Sequence, residues 1–178
     1  MKLPTGRLCF TPGSQPSVAW GKLEIQLRRI GFLGPALSEN AYQVGEHFFH
    51  LILFTGCAVQ ISLEPTEGPF CHIRFLGPFD PPRLLRGRNS RPPRCPRCRS
   101  PYRAFSQLPA IPAPRLRCPS CARETPLENW DWKHSGGLGR QFLLVEEIFP
   151  GEAVPDPKLL QALETLSGAP WSYFYQQD

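Results

Sequence analysis

Two pairs of cysteines carry the strongest chemical signal in the 178-residue chain. Cys95-Pro96-Arg97-Cys98 and Cys118-Pro119-Ser120-Cys121 repeat one C-P-x-C pattern, with nineteen residues between the pairs. Cysteines at this spacing turn both sulfurs toward one point, and two such turns complete a tetrahedron of thiolates around a metal ion. Four thiolates leave no open coordination position, so an ion held this way folds the chain around it and does no chemistry of its own. Disulfides would need an oxidising compartment, which nothing in the sequence supports. Thioredoxin-like redox chemistry needs a single C-x-x-C opening a helix after a strand, whereas here two pairs are flanked by prolines.

The spacing lies in the window that reads as a zinc site, and structural Zn²⁺ is the expected cofactor. Iron uses the same four thiolates, and the sequence does not separate the two ions. On these two knuckles, residues 91–125 resemble the zinc-ribbon family, and the resemblance covers only that stretch. Zinc ribbons often place glycine after the second cysteine of a knuckle, where this chain has Arg99 and Ala122.

Around the cysteines the charge is segregated. Residues 81–123 hold eleven Arg, no Lys and no acidic residue, while residues 124–178 hold three basic and nine acidic residues. The planar guanidinium fork suits bidentate contacts to phosphate and stacking on bases. Arg91, Arg94, Arg97, Arg99, Arg103, Arg115 and Arg117 are the expected nucleic-acid contacts, with Tyr102 and Phe105 as aromatic faces for unpaired bases. Docking of the same block on an acidic protein surface, including residues 124–178, is the competing reading. The expected partner is therefore nucleic acid or a nucleoprotein complex, and the alternative is an adaptor or assembly factor with a protein partner.

The elements that must position these residues are short. Leu23–Ile30 alternates as a strand does, and Ser38 caps a helix expected from Glu39 to about Phe54 on the apolar positions Ala41, Val44, Phe48, Leu51 and Ile52. Ala58–Leu63 and Phe70–Phe75 read as a hairpin, and Gly77 to Pro82 as a boundary. Gln141–Phe149 is another strand; Asp156-Pro157 opens a helix over Lys158–Leu166 that Gly168 stops, and Trp171–Tyr175 is a last strand. The fold class is α+β: a small mixed or antiparallel sheet with two helices, close to a ferredoxin-like arrangement with one extra strand, mostly covered on one face. The expected division is 1–80 and 126–178 as two halves of one domain, with an arginine-rich ribbon, 81–125, inserted between them.

Remaining features argue against chemistry elsewhere. His47 and His50 stand three apart, yet Phe48 occupies the place of the glutamate in H-E-x-x-H, so they read as a core or boundary pair. Cys57, Cys71 and His72 read as buried strand residues, Cys9 as uninformative, Trp130 and Trp132 as packing, and Lys133–Arg140 as a hinge leaving the ribbon. No partnered nucleophile and base is recognisable, so no enzyme is expected. No apolar run reaches the ~18–20 residues of a membrane span, and Met1–Arg7 lacks the apolar region of a signal peptide, so the expected location is the cytosol.

Overall fold

The computed structural model describes residues 6–56, 61–65 and 68–178. Its centre is an antiparallel six-stranded sheet built from β1 (Arg7–Thr11), β2 (Leu33–Ser38), β3 (Ala41–Val44), β5 (Ile73–Leu76), β10 (Phe142–Glu146) and β12 (Ser172–Gln176), in the order β12-β1-β10-β5-β3-β2. Helices α1 (Trp20–Arg29) and α3 (Pro157–Ser167) lie on one face. The fold is α+β, and the path β1-α1-β5-β10-α3-β12 has the ferredoxin-like connectivity. The hairpin β2–β3 is inserted after α1 and lengthens the sheet by two strands beyond β5, one more than expected.

Strand alternation explains why two layers form. In β1, Leu8 and Phe10 point to the helices, while Cys9 points to the other face; in β10, Leu143 and Val145 face the helices and Phe142 and Leu144 the opposite side. Each fully buried side chain of this size contributes about 1.5–3 kcal/mol. The second face is also covered, contrary to the expectation of one covered face. There Phe142, Leu144, Cys9 and Phe174 pack with Phe79 and Leu85.

The cover on that side is the pair β6 (Arg83–Arg86) and β9 (Gly136–Gly139), antiparallel with Leu84 opposite Leu138. Lys133–Arg140 is thus not a hinge, because half of it, Gly136–Gly139, is a strand paired with β6. Its glycines are required by proximity: a Cβ on Gly137 would run into the Phe174 ring, and one on Gly139 into Thr11.

Two expected elements are different in kind. Leu23–Ile30 lies almost wholly within α1. Its apolar positions fit both periods, and the helical subset Leu23 and Leu27 is buried, with Ile30 packed against the core, while Ile25 is left 64% exposed. Glu24 and Arg28 form an i,i+4 ion pair at 3.0 Å on the outer surface. The helix expected over Glu39–Phe54 is instead β3, the four-residue α2 (Phe48–Leu51) and β4 (Ile52–Phe54). Gly45 breaks it: its N–H bonds to the Phe32 carbonyl at 2.8 Å, and its α-carbon sits against the Gly31 backbone, where a Cβ has no room. His47 and His50 are consequently exposed, not core residues.

The later elements lie close to expectation. Asp156 Oδ1 accepts the Lys158 N–H at 2.8 Å, Pro157 opens α3, and Gly168 ends it at φ 71°. β4 pairs with β11 (Ala153–Pro155). Cys71 is buried just before β5, and Cys9 lies in a central strand. Cys57 and the first half of the expected Ala58–Leu63 hairpin arm lie outside the described residues; Ile61, Ser62 and Leu63 form no strand. Among the described residues no helix is long and apolar enough to cross a membrane.

Candidate metal centre and its arginine surface

Between β6 and β9 the chain leaves the sheet and builds the cysteine site. The second knuckle sits at the tip of the hairpin β7 (Arg115–Arg117) and β8 (Glu124–Pro126). The first has no strands of its own and is held by bridges from Arg94 to Pro101 and to Asp131.

The two knuckles use one hydrogen-bond pattern. Arg99 N–H donates to the Cys95 carbonyl and Cys95 N–H to that of Ser100, both at 3.0 Å. Ala122 N–H donates to the Cys118 carbonyl and Cys118 N–H to that of Arg123, both at 2.9 Å. Such a turn needs a left-handed residue after the second cysteine, and Arg99 (φ 64°) and Ala122 (φ 59°) adopt it without being glycine. An L-residue there costs roughly 1–2 kcal/mol, so something else must hold the turn closed.

The sulfurs supply the reason. Cys95 Sγ lies 3.9 Å from Cys121 Sγ, and Cys98 Sγ 3.6 Å from Cys118 Sγ. All four lie within 4.8 Å of one another. A tetrahedron with metal–sulfur bonds of ~2.3 Å has edges of ~3.8 Å, and a disulfide would need ~2.05 Å. The four free thiols therefore fit a single metal ion. The Ser100 hydroxyl and N–H bonds hold the Cys98 thiol down to about 6, in the thiolate form that a metal requires. At Cys121 the Arg123 N–H acts in the same direction, but burial and the neighbouring thiols of Cys118, Cys98 and Cys95 push it up to about 11. Bringing four thiols together is thus self-opposing until a cation neutralises them.

A small second core supports the site. Cys95 and Cys118 pack with Leu84, Leu127, Trp130, Trp132 and Leu138. Trp130 and Trp132 are thus packing residues; Tyr102 and Phe105 meet them edge-on at 5.8 and 6.3 Å and remain half-buried. The indole Nε1 atoms of Trp130 and Trp132 are buried with no hydrogen-bond partner among the described residues.

Of the eleven arginines, all but Arg86 are exposed, including Arg91, Arg94, Arg97, Arg99, Arg103, Arg115 and Arg117. Arg86 is tied to the carbonyls of Ser106 and Leu108. Arg99 pairs with Asp131 at 2.8 Å, Arg115 lies 4.0 Å from Glu124, and Arg83 covers the Phe79 ring. Arg88, Arg91, Arg97, Arg103, Arg117 and Arg123 have no side-chain partner among the described residues. Two acids of the C-terminal segment are engaged outside the arginine block: Glu146 is held by Arg7 and Arg74, and Asp178 by Arg7.

Asp131 was not singled out from sequence, yet it joins the knuckle to the core. Its Oδ1 accepts the Lys133 N–H at 2.9 Å and its Oδ2 meets Lys133 Nζ at 3.0 Å as well as Arg99. Burial works against its charge, but the Lys133 N–H, the Lys133 ammonium and Arg99 bring its carboxyl down to about 2. The D-W-K order, an acid two residues ahead of a turn, was the available signal. Comparison of the chain with protein-family models, curated proteins and solved structures returns no match.

Proposed function

We propose that the chain is a zinc-ribbon binding module whose arginine surface contacts nucleic acid or a nucleoprotein complex, in a binding and not a catalytic role. The observation that carries this is the set of six exposed arginines without side-chain partners among the described residues, in the segment that holds the clustered thiols. Arginines that served only to dock the ribbon on the acidic segment would be paired with it, and only Arg99 and Arg115 approach acids there. Unpaired guanidinium groups keep the positive field that attracts a polyanion. Zinc is the metal that suits four thiolates in a tetrahedron with a structural purpose.

The test is the salt dependence of binding to mixed-sequence oligonucleotides. Log K should fall with log salt by ~0.9 per phosphate contact on duplex DNA and ~0.7 on single strands. Changing Arg91, Arg97, Arg103 and Arg117 together to Gln should weaken binding and flatten that slope, with zinc content unchanged. Absence of salt-sensitive binding by the wild-type protein to DNA or RNA would defeat the reading. An adaptor role toward a protein partner would then take its place.

A further inference from the structure

The geometry points to a cleft beside the ribbon as a binding site for one unpaired nucleobase of a single strand. The inference rests on the nucleic-acid reading above and names what part of the ligand a second surface would take. The cleft has a volume of about 230 Å³ and lies between residues 130–138 and the start of β12. That is below the ~300 Å³ of pockets for drug-sized ligands, and suits a single flat ring system.

Its walls suit a base better than a phosphate. Half-buried Tyr173 supplies the accessible aromatic face, while Trp130, Trp132 and Phe174 are buried and form the floor behind it. At the mouth, the exposed His134 ring is already stacked on Tyr173, with centroids 4.4 Å apart and planes 16° from parallel. A 2.8 Å contact from His134 Nδ1 to the Tyr173 carbonyl fixes that ring. Base–aromatic stacking is the sequence-tolerant part of single-strand recognition. Glu128 and Asp131 stand in the same cleft as Lys133 and His134, a mixture that meets donors and acceptors on a base edge but would repel a phosphate on its acidic side.

The lip of the cleft is held in an unfavourable conformation. Lys133 (φ 51°) and His134 (φ 55°) are consecutive left-handed residues, neither of them glycine. Asp131 holds the first through its N–H and ammonium. Strain of this kind persists where the surroundings over-determine it, and it clusters at binding sites. Asp131 also receives Arg99 of the first knuckle, which ties the lip of the cleft to the arginine-bearing turn.

The experiment compares octadeoxyadenylate with an octamer of abasic sites carrying the same charge. Wild-type protein should bind the first about 5- to 150-fold more tightly, the range expected for one stacked base. His134→Asn, which removes the ring and tolerates the left-handed backbone, should lose most of that preference. It should leave affinity for the abasic octamer, the salt slope and zinc content unchanged. Equal affinity of the wild type for both octamers, or equal weakening of both by His134→Asn, would overturn the cleft assignment while the arginine reading stands. If neither octamer binds in a salt-sensitive way, the underlying reading fails and the cleft assignment with it.

Discussion

The six-stranded sheet and the cysteine region are stabilised by opposite means. The sheet buries Leu8, Phe10, Leu143, Val145 and Phe174 on two faces, beneath helices on one side and β6–β9 on the other. The cysteine region has strands of three residues, a seven-residue buried cluster that includes two of its own cysteines, and two knuckles closed by non-glycine residues at positive φ. One region follows from burial of apolar area; the other brings together four thiols whose convergence a cation would offset. The difference teaches that a chain this rich in proline and arginine can order a surface loop without an apolar core large enough to do so alone, provided that the loop is anchored at both ends, here by β6 and β9.

The strongest way to break the comparison is to remove the metal. Cys118→Ser, or chelation, should unfold the cysteine region, because structural zinc contributes an apparent ~10–16 kcal/mol at pH 7. Trp130 and Trp132 should become exposed, seen as a red shift in tryptophan emission, while amide-exchange protection persists in β1 and β10. Loss of protection throughout would show that the sheet depends on the ribbon. In the opposite direction, Phe10→Ala removes a fully buried ring between β1 and the helices and should cost about 3–5 kcal/mol of unfolding free energy. Denaturant titration measures it, and zinc content should be unchanged in the folded protein.

The same contrast governs what was legible in the sequence. The convergence of the four cysteines was, because C-P-x-C states its geometry within four residues. So was α3, since Asp156, Pro157 and Gly168 are local signals that the backbone obeys. Leu23–Ile30 was not: its apolar residues satisfy two periods, and only tertiary burial of Leu23 and Leu27 decides for the helix. The helix expected after Ser38 failed at Gly45, whose role is a contact with Gly31 fourteen residues earlier. Gly136–Gly139 carries no strand signal of its own and is a strand because Leu84 and Leu138 pair across from β6. The arginine positions were visible as composition, but which of them meet the acidic segment was not, because the pairings of Arg99 with Asp131 and of Glu146 with Arg7 and Arg74 span 32 to 139 residues of sequence.

A smaller effect probes the joint between the regions. Asp131 titrates well below the usual carboxylate range, at about 2, so its folded-state value is depressed. Its contribution is complete above about pH 4 and is lost as pH falls toward 2. Asp131→Asn should therefore destabilise the cysteine region by only ~0–1 kcal/mol, as partly exposed pairs do, and by the same amount from pH 7 down to about pH 5, because Asp131 stays ionised throughout that range. Acid below that range also protonates the thiolates and releases a bound metal, so stability is compared within it by amide exchange around Cys95. A difference that grows on acidification would mean that Asp131 is not the group being titrated.

The smallest effect bears on how the knuckles close. Ala122 holds a left-handed backbone at φ 59°, which disfavours any side chain by roughly 1–2 kcal/mol. Glycine would remove that strain but would add about 0.5–1 kcal/mol of backbone entropy to the cost of ordering. Ala122→Gly should therefore stabilise the region by a net of roughly 0.5 kcal/mol, read as a slight rise in the midpoint of zinc-dependent unfolding. Arg99→Gly relieves the same strain but also removes the contact with Asp131, so its gain should be smaller or absent. If Ala122→Gly destabilises instead, the Ala122 methyl group is making a contact that outweighs its backbone strain.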